Sequence, residues 1–313
     1  VHPPGYLSGH KHGNGVWVII SPGKIFCTGT SAKVEPYPVK KIKLIYIVSL
    51  GHSGSTLLDV LLNQHSKIQS VGEVTFYDEW VRYDHLCSCG KPLKQCPFWL
   101  EAAAENNEPI GDIDQPAYGD RSFTLLQGVA NSTGAQVLVD SSKSLQRLKK
   151  LKSDPRLDVI PIHLVRNGYA VVNALRHSHD RPGTAGVLKT RSTPLIKGIL
   201  RWVGRNRSIE KYLATLSPDE YARVRYEDLC RQPELALKNI CKLAGLDFED
   251  SMLTPSVDHI HNIGGSRWRY SDTPVEIKLD EKWENELGFS SRLLFNLFGG
   301  KLNKAYGYPL ETS

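Results

Sequence analysis

The sequence predicts an α/β fold, a single domain with a central parallel sheet flanked by helices. From Lys41 onward, apolar stretches of strand length alternate with helix-length segments, which is the pattern of repeated strand–helix units. In addition, polar and titratable residues follow directly after five of the apolar stretches. Ligands of open parallel sheets bind beyond the carboxyl ends of the strands, so this second observation predicts a binding site at one edge of the sheet.

The elements can be assigned in chain order. Residues 1–40, rich in Gly, Pro, His and Lys, are expected to form an N-terminal extension, and residues 41–313 the main domain. Residues 77–119 show no clear period, and we interpret them as an irregular insertion or lid. The predicted strands are residues 42–49, 67–71, 136–139, 159–165 and 221–224. The predicted helices are residues 55–63, 121–133, 144–152, 169–177, 200–216 and 233–244.

Size and charge are compatible with one large enzyme domain. The chain has 313 residues, of which 40% are hydrophobic, and 39 basic against 33 acidic residues give a net charge of +6. This mild charge suits an enzyme that handles a polyanionic small molecule, and it is too diffuse to indicate a nucleic-acid partner. No run approaches the roughly 18 apolar residues of a membrane span, and no signal-peptide segment is evident. We therefore expect a cytoplasmic protein without a membrane partner.

The first predicted strand leads into a loop with the composition of an anion cradle. A helix begins directly after this loop, so backbone N–H groups and the helix dipole favour a bound anion. The nucleotide-hydrolysing P-loop requires G-x-x-x-x-G-K-[ST], but here Gly54 is followed by Ser55 and Thr56 without a lysine. The loop therefore suits phosphate-type oxygens and argues against an ATPase or kinase. Its residues are Gly51, His52, Ser53, Gly54, Ser55 and Thr56.

Four other predicted strands also end in polar groups. Chance supplies some of these, since strands commonly end in polar residues, but five together beside an anion cradle favour a binding site. The groups are Gly72-Glu73, Asp140-Ser141-Ser142-Lys143, Arg166-Asn167 and Arg225-Tyr226-Glu227-Asp228.

Six segments, taken in their order and spacing, resemble P-loop sulfotransferases of the bacterial small-molecule type. That family transfers a sulfuryl group from 3′-phosphoadenosine 5′-phosphosulfate (PAPS) to an acceptor. The resemblance runs from about residue 42 to the C-terminus. Its segments are residues 51–58 (the 5′-phosphosulfate loop), 87–92, 139–143, 163–176 (the 3′-phosphate segment), 224–233 (the R-Y-E-D-L segment) and 261–270.

The resemblance implies roles for the cofactor-binding residues. The loop from Ser53 to Thr56 would hold the 5′-phosphosulfate through backbone N–H groups and hydroxyls. Arg166 would pair with the 3′-phosphate, for which the guanidinium fork is well shaped, and Tyr226 would lie near the adenine. Arg267 and Arg269, with the glycines before them, would form a loop that closes over PAPS.

Two positions depart from the family's pattern. His52 stands where the family usually has Lys or Arg, and a neutral imidazole supplies one hydrogen bond without charge. Ala174 stands where the family commonly has Ser, eight residues after the 3′-phosphate arginine. The 3′-phosphate contact is therefore open between Asn173, Arg176, Arg267 and Arg269.

Sulfuryl transfer needs a base for the acceptor and a positive group near the leaving oxygen, and three residues are candidates. Glu73 is the candidate base, against the alternative that it serves only a loop or an arginine. Lys143 is a candidate to stabilise the sulfuryl group or the leaving oxygen, against a solvated lysine at a helix start. His52 is a candidate to assist the leaving group, against a simple loop residue.

Three of the six cysteines, Cys87, Cys89 and Cys96, cluster in the sequence. A metal site with a fourth ligand such as His85 is one reading, but C-x-C…C lacks the paired C-x-x-C spacing of zinc sites. We favour a structural loop with free thiols or a disulfide, and we expect no metal site and no metal requirement in the reaction.

The sequence thus predicts a PAPS-dependent sulfotransferase that acts on a hydroxyl or amine of a small-molecule acceptor, such as a natural product of secondary metabolism. A nucleotide-dependent kinase is the second enzyme hypothesis, and the missing P-loop lysine and Mg²⁺-carboxylate signature argue against it. A catalytically silent nucleotide-binding protein is the third hypothesis, and an intact Glu73 argues against it.

Overall fold

The computed structural model describes residues 18–21, 24–27, 41–105, 108–177, 180–183, 186–189, 192–258, 260–266 and 276–310. The chain divides after Lys40 into two units. In the first unit, β1 (Val18–Ser21) and β2 (Lys24–Cys27) pair antiparallel as a hairpin.

The second unit contains the five-stranded, all-parallel central sheet that the sequence predicts. Its strands are β3 (Ile42–Val48), β4 (Ile68–Gly72), β5 (Val137–Lys143), β6 (Leu157–Val165) and, after a separate antiparallel pair β7 (Asp180–Gly183) and β8 (Gly186–Lys189), β9 (Ala222–Arg225). The strand order is β4-β5-β3-β6-β9, so β3 occupies the centre. Parallel pairing brings the carboxyl ends of all five strands to one edge.

Helices cover both faces of this sheet. The described helices are α1 (Ser55–Asn63), α2 (Tyr77–Tyr83), α3 (Pro97–Ala102), α4 (Tyr118–Thr133), α5 (Leu145–Lys152), α6 (Gly168–Arg176), α7 (Leu195–Leu213), α8 (Tyr226–Arg231), α9 (Pro233–Ala244), α10 (Trp283–Glu286) and α11 (Phe289–Ala305). None of these described helices combines the length and apolar character needed to cross a bilayer.

The central strand explains why the sheet is buried on both faces. Leu44, Tyr46 and Val48 of β3 pack in the cluster that contains α4 and α5, whereas Ile45 and Ile47 pack in the cluster that contains α1 and α9. All five side chains are fully buried, and each contributes about 1.5–3 kcal/mol by burial. A third cluster joins α6, α7 and α11.

The segment predicted to be irregular, residues 77–119, contains the short helices α2 and α3. Pro97 occupies the first position of α3, where its fixed φ is compatible with a helix. Trp99 and Ile110 are buried in the same cluster as β3, so part of this segment belongs to the core of the domain.

Candidate functional site

The loop between β3 and α1 presents a helix N-terminus at the carboxyl edge of the sheet. Within the described residues, no side chain caps α1, and its first turn holds no acidic residue. Ser53, Ser55 and Thr56 are buried around this turn. Uncapped N–H groups and hydroxyls at a helix start favour an anion, so the geometry of this loop is compatible with the predicted anion cradle.

Gly54 has a backbone conformation and a close contact that exclude a residue with a side chain. Its φ of 90° is left-handed, and a Cβ built on it would lie 2.3 Å from Cδ2 of Tyr226. Tyr226 is the first residue of α8 and follows β9 directly. The aromatic ring therefore packs on the backbone of the anion loop, and glycine is the residue that permits this approach.

Arg166 follows β6 and forms hydrogen bonds both to the loop between β3 and α1 and to Asp280. Its guanidinium donates to the carbonyl oxygen of His52 at 3.0 Å and to Asp280, whose backbone oxygen lies at 2.7 Å and whose Oδ2 lies at 3.0 Å. It also stacks on the Tyr226 ring at 4.5 Å. Its Nε is buried without a hydrogen-bond partner among the described residues. A buried donor of this kind suits a bound anion.

Asp280 is the counter-ion of Arg166 in this arrangement. Its partial burial acts to raise its pKa, but the hydrogen bond and charge of Arg166 outweigh this effect, so the pKa of Asp280 is lowered. Asp280 also receives its position from Tyr226, whose hydroxyl accepts from the Asp280 amide at 3.3 Å. No sequence pattern pointed to Asp280, because it lies outside the strand ends and the family-like segments.

The candidate base and the candidate lysine form an ion pair. Glu73 follows β4 and Lys143 ends β5, and Nζ of Lys143 lies 2.6 Å from Oε1 of Glu73. The turn after Glu73 is also held to the end of β5, because the amide of Thr75 donates to Oγ of Ser142 at 3.0 Å. The predicted convergence of these two strand ends is therefore present.

Lys143 adopts an unusual backbone conformation for a side chain of its size. Its φ is 65°, in the left-handed region that non-glycine residues enter at a cost of order 1–3 kcal/mol. It pairs in register with Val48, the last residue of β3, so it lies at the level where the anion loop begins. Backbone strain of this kind clusters at functional sites, which is consistent with the role predicted for Lys143.

Two consecutive amides join Glu73 to the anion cradle. The Gly265 amide donates to Oε1 of Glu73 at 2.9 Å, and the Ser266 amide donates to Oγ1 of Thr56 at 3.2 Å. The carbonyl oxygen of Ile263 accepts from the Glu73 amide at 2.7 Å. The segment around these residues therefore fixes the carboxylate next to the loop, a function that the sequence pattern did not reveal.

The remaining predicted residues have mixed outcomes. His52 is exposed with a φ of 70°, and its carbonyl oxygen, rather than its ring, receives the contact with Arg166. Asn173 lies on α6, and its Nδ2 donates to Glu286 at 2.6 Å. A carboxylate partner gives no support to a phosphate contact at Asn173. Arg267 and Arg269 lie outside the described residues, so their predicted roles remain predictions.

Two polar groups at strand ends have structural partners. Asp140 forms a fully buried ion pair with Arg147, with Oδ2 2.8 Å from Nε. Glu227 accepts from the Asn167 amide at 3.0 Å and from the Tyr308 hydroxyl at 2.6 Å, which fixes the start of α6. Both oxygens of the Glu227 carboxylate therefore have partners within the fold.

Together these features define a class of protein: an α/β domain with a P-loop-like turn at an uncapped helix start and a carboxylate–ammonium pair at the same edge of the sheet. The sequence profile of the sulfotransferase family matches residues 45–250, more than half of the chain. The chain belongs to the sulfotransferase family.

Curated relatives agree with this family. Mouse carbohydrate sulfotransferase 5 is 29% identical over 246 residues, which cover 72% of this chain and 59% of that protein. Human carbohydrate sulfotransferase 6 is 31% identical over 199 residues, which cover 57% of this chain and 49% of that protein. The matched region thus spans about half of the length of these curated relatives.

Solved structures show the same fold. The sulfotransferase domain of the curacin biosynthetic pathway superposes with a TM-score of 0.54 at 19% identity, covering 87% of this chain and 100% of that domain. The sulfotransferase domain of the Synechococcus PCC 7002 olefin synthase superposes with a TM-score of 0.50 at 23% identity, covering 88% of this chain and 98% of that domain.

Proposed function

We propose that this chain transfers a sulfuryl group from PAPS to a hydroxyl or amine of a small-molecule acceptor, with Glu73 as general base. The observation that carries the proposal is the position of Glu73, whose carboxylate is linked to Thr56 of the anion cradle by the consecutive amides of Gly265 and Ser266. A base that is fixed beside an anion site can take a proton from an acceptor as the acceptor attacks the bound group.

Two features support PAPS as the donor. The cradle binds a phosphate-type anion but has no P-loop lysine for an ATP β/γ-phosphate. Arg166 offers a second group for an anion, because its Nε is buried and has no hydrogen-bond partner among the described residues. PAPS carries a 5′-phosphosulfate and a 3′-phosphate, so its two anionic ends match two basic or donor-rich sites of this chain.

The proposed reaction is an in-line displacement at sulfur. The acceptor oxygen or nitrogen forms a bond to sulfur while the bond between sulfur and the bridging phosphate oxygen breaks, and adenosine 3′,5′-diphosphate leaves. The acceptor proton passes to Glu73. Gly265 and Lys143 both contact Oε1, so we assign the proton to Oε2. Protonation of Glu73 weakens its ion pair with Lys143, which makes the ammonium group available to the charge that develops on the leaving oxygen.

The acceptor is a separate question from the donor. The named relatives are carbohydrate sulfotransferases, and the superposable domains come from an olefin synthase and from the curacin biosynthetic pathway. An acceptor panel should therefore contain sugars, aliphatic alcohols, phenols and amines. We expect turnover on a small-molecule hydroxyl or amine in this panel.

The test is incubation with PAPS and the acceptor panel, with chromatographic detection of adenosine 3′,5′-diphosphate. We expect acceptor-dependent formation of this product and no phosphate transfer when ATP replaces PAPS. Failure to bind PAPS in calorimetry would overturn the donor assignment. PAPS binding without turnover on any acceptor would favour a silent nucleotide-binding protein.

The role of Glu73 is tested by Glu73→Gln with Glu234→Gln as the matched control. Glu234 is an exposed carboxylate paired with Lys238 at 2.5 Å, far along the chain on α9. We expect Glu73→Gln to lower kcat by about 10²–10⁴-fold while the affinity for adenosine 3′,5′-diphosphate stays within a few-fold. Retained turnover in Glu73→Gln would exclude Glu73 as the base.

A further inference from the structure

Three thiols and one imidazole meet in a cluster that does not include Glu73 or Lys143. The ligand atoms of Cys87, Cys89, Cys96 and His261 all lie within 4.8 Å of one another. The sulfur of Cys96 is 3.7 Å from the sulfurs of both Cys87 and Cys89. Nδ1 of His261 is 3.3 Å from the sulfur of Cys96 and 3.9 Å from that of Cys87.

These separations match the edges of a metal-centred tetrahedron. With Zn–S bonds of about 2.3 Å and a Zn–N bond of about 2.0–2.1 Å, tetrahedral angles give an S···S edge of roughly 3.8 Å and an S···N edge of roughly 3.6 Å. The cysteines are free thiols, so no disulfide accounts for their convergence. Three sulfurs and an imidazole nitrogen form a donor set typical of structural zinc.

The surrounding backbone is built to hold this donor set. The Gly90 amide donates to the Cys87 carbonyl oxygen at 2.9 Å, and Gly90 has a left-handed φ of 81°, so the chain turns tightly between the cysteines. Cys96 stands at the start of α3. The His261 ring stacks on the Phe98 ring, with centroids 4.9 Å apart and an angle of 4° between the planes. The backbone carbonyl oxygen of His261 accepts a hydrogen bond from the Trp99 indole at 2.8 Å.

We propose that Cys87, Cys89, Cys96 and His261 bind one Zn²⁺ ion as a structural site. The protein supplies all four ligands, so no coordination position is left for substrate, and the ion would not take part in the transfer reaction. Binding replaces the thiol protons, because the thiolate is the ligand form. This proposal replaces the expectation that the chain has no metal site. The fourth ligand is His261 and not His85, whose ring packs against Trp80 at 4.8 Å.

The site would connect two segments that are far apart in the sequence. Ser88, between two of the cysteines, donates its hydroxyl to the Ile260 carbonyl at 2.6 Å and accepts from the Asn262 amide at 2.8 Å. Asn262 in turn donates to the buried Asp59 of α1 at 2.6 Å. Gly265 and Ser266, which follow in the same segment, donate hydrogen bonds to Glu73 and Thr56. The metal would therefore anchor the segment that positions the proposed base.

The first test is the metal content of the full chain, purified under reducing conditions after expression with zinc. We expect about one zinc per chain by elemental analysis. Replacement by cobalt should give the visible bands of a tetrahedral site and near-ultraviolet thiolate-to-cobalt charge transfer. A wild-type protein that holds no zinc after anaerobic reconstitution, or that holds iron instead, would overturn the proposal.

Variants identify the ligands. Cys96→Ser and His261→Ala should each lower zinc affinity by at least about tenfold, measured by competition with a chromophoric chelator. Cys241→Ser and His85→Ala are the matched controls, since Cys241 is a buried thiol on α9 outside the cluster. Equal loss in ligand and control variants would contradict the assignment. If a ligand variant does not fold, the thiolate-to-cobalt charge-transfer intensity of the wild-type protein still gives the number of thiolate ligands. A number below three would contradict the assignment.

Discussion

Nζ of Lys143 lies 2.6 Å from Oε1 of Glu73, and the two side chains are only 16% and 13% exposed. Lys143 ends β5 and Glu73 directly follows the neighbouring strand β4, so the sheet itself brings the opposite charges together. In a site with little solvent, loss of one partner leaves the other charge without compensation. Among the described residues, Lys143 is the one charged side chain that forms an ion pair with Glu73, the proposed base.

Lys143→Met should separate the role of the ammonium from the packing of the side chain. Methionine keeps much of the apolar stem and removes the charge, so we expect kcat to fall by about 10²–10³-fold while product-nucleotide affinity changes only a few-fold. Steady-state kinetics and calorimetry measure the two effects. Lys238→Met, at an exposed ion pair, is the control. An unchanged kcat in Lys143→Met would assign Lys143 to structure alone.

Gly54→Ala should disrupt the anion cradle. The new methyl group would meet the Tyr226 ring at 2.3 Å, and alanine would be strained at a φ of 90°. We expect a loss of about 2 kcal/mol or more in the free energy of unfolding and a loss of donor binding, measured by urea unfolding and calorimetry.

Gly51→Ala is the matched control for that variant. Gly51 lies in the same loop, but a Cβ there would meet no atom within 4 Å. We expect its free energy of unfolding to stay within about 1 kcal/mol of the wild type. Equal effects of the two substitutions would mean that loop rigidity in general, and not the Tyr226 contact, is the constraint.

Arg166→Lys should reduce discrimination for the 3′-phosphate. A lysine cannot reproduce the planar fork that contacts His52 and Asp280, nor the stacking on Tyr226. We expect the ratio of affinities for adenosine 3′,5′-diphosphate and adenosine 5′-phosphate to fall by about tenfold or more, with the affinity for the 5′-phosphate compound little changed. Arg231→Lys, at an exposed pair with Glu281, is the control. A loss of affinity that is equal for both nucleotides would contradict the assignment of Arg166 to the 3′-phosphate.

The sheet was predictable because parallel strands that are buried on both faces have continuous apolar sequences. The helix α11 was not predicted, since its sequence contains Gly299 and Gly300, which lower helix propensity. The structure explains one of them, because a Cβ on Gly299 would lie 2.9 Å from the Phe295 ring. Phe295 lies one turn earlier in the same helix, and its buried ring packs against Tyr169 and Trp202 of other helices. This tertiary packing of Phe295 outweighs the low helix propensity of glycine, and it cannot be read from a local sequence pattern.

In the candidate site, too, residues at strand ends could be predicted, whereas residues in connecting segments were harder to predict. Glu73, Lys143 and Arg166 were identified because each follows a predicted strand, and parallel topology then requires their ends to share an edge. Asp280 was not identified, and neither was the hydrogen bond from Gly265 to Glu73, because both depend on how connecting segments approach the sheet in the tertiary structure. The approach of His261 to the three cysteines could not be predicted for the same reason, since His261 lies 165 residues beyond Cys96 in the chain and no spacing rule joins them.

His163 should make the stability of the domain depend on pH. Its ring is fully buried on β6, donates from Nε2 to Asn206 at 3.0 Å, and has its pKa lowered to about 4 because burial disfavours the charged form. Between pH 6.5 and 4 the unfolded chain binds a proton that the folded domain does not, so stability falls as pH falls through this window. We expect His163 to account for a loss of about 2 kcal/mol between pH 7 and pH 5, which His163→Gln should remove in urea unfolding series. His177→Gln, at an exposed histidine, should keep the wild-type dependence. An unaltered pH dependence in His163→Gln would show that other groups govern acid stability.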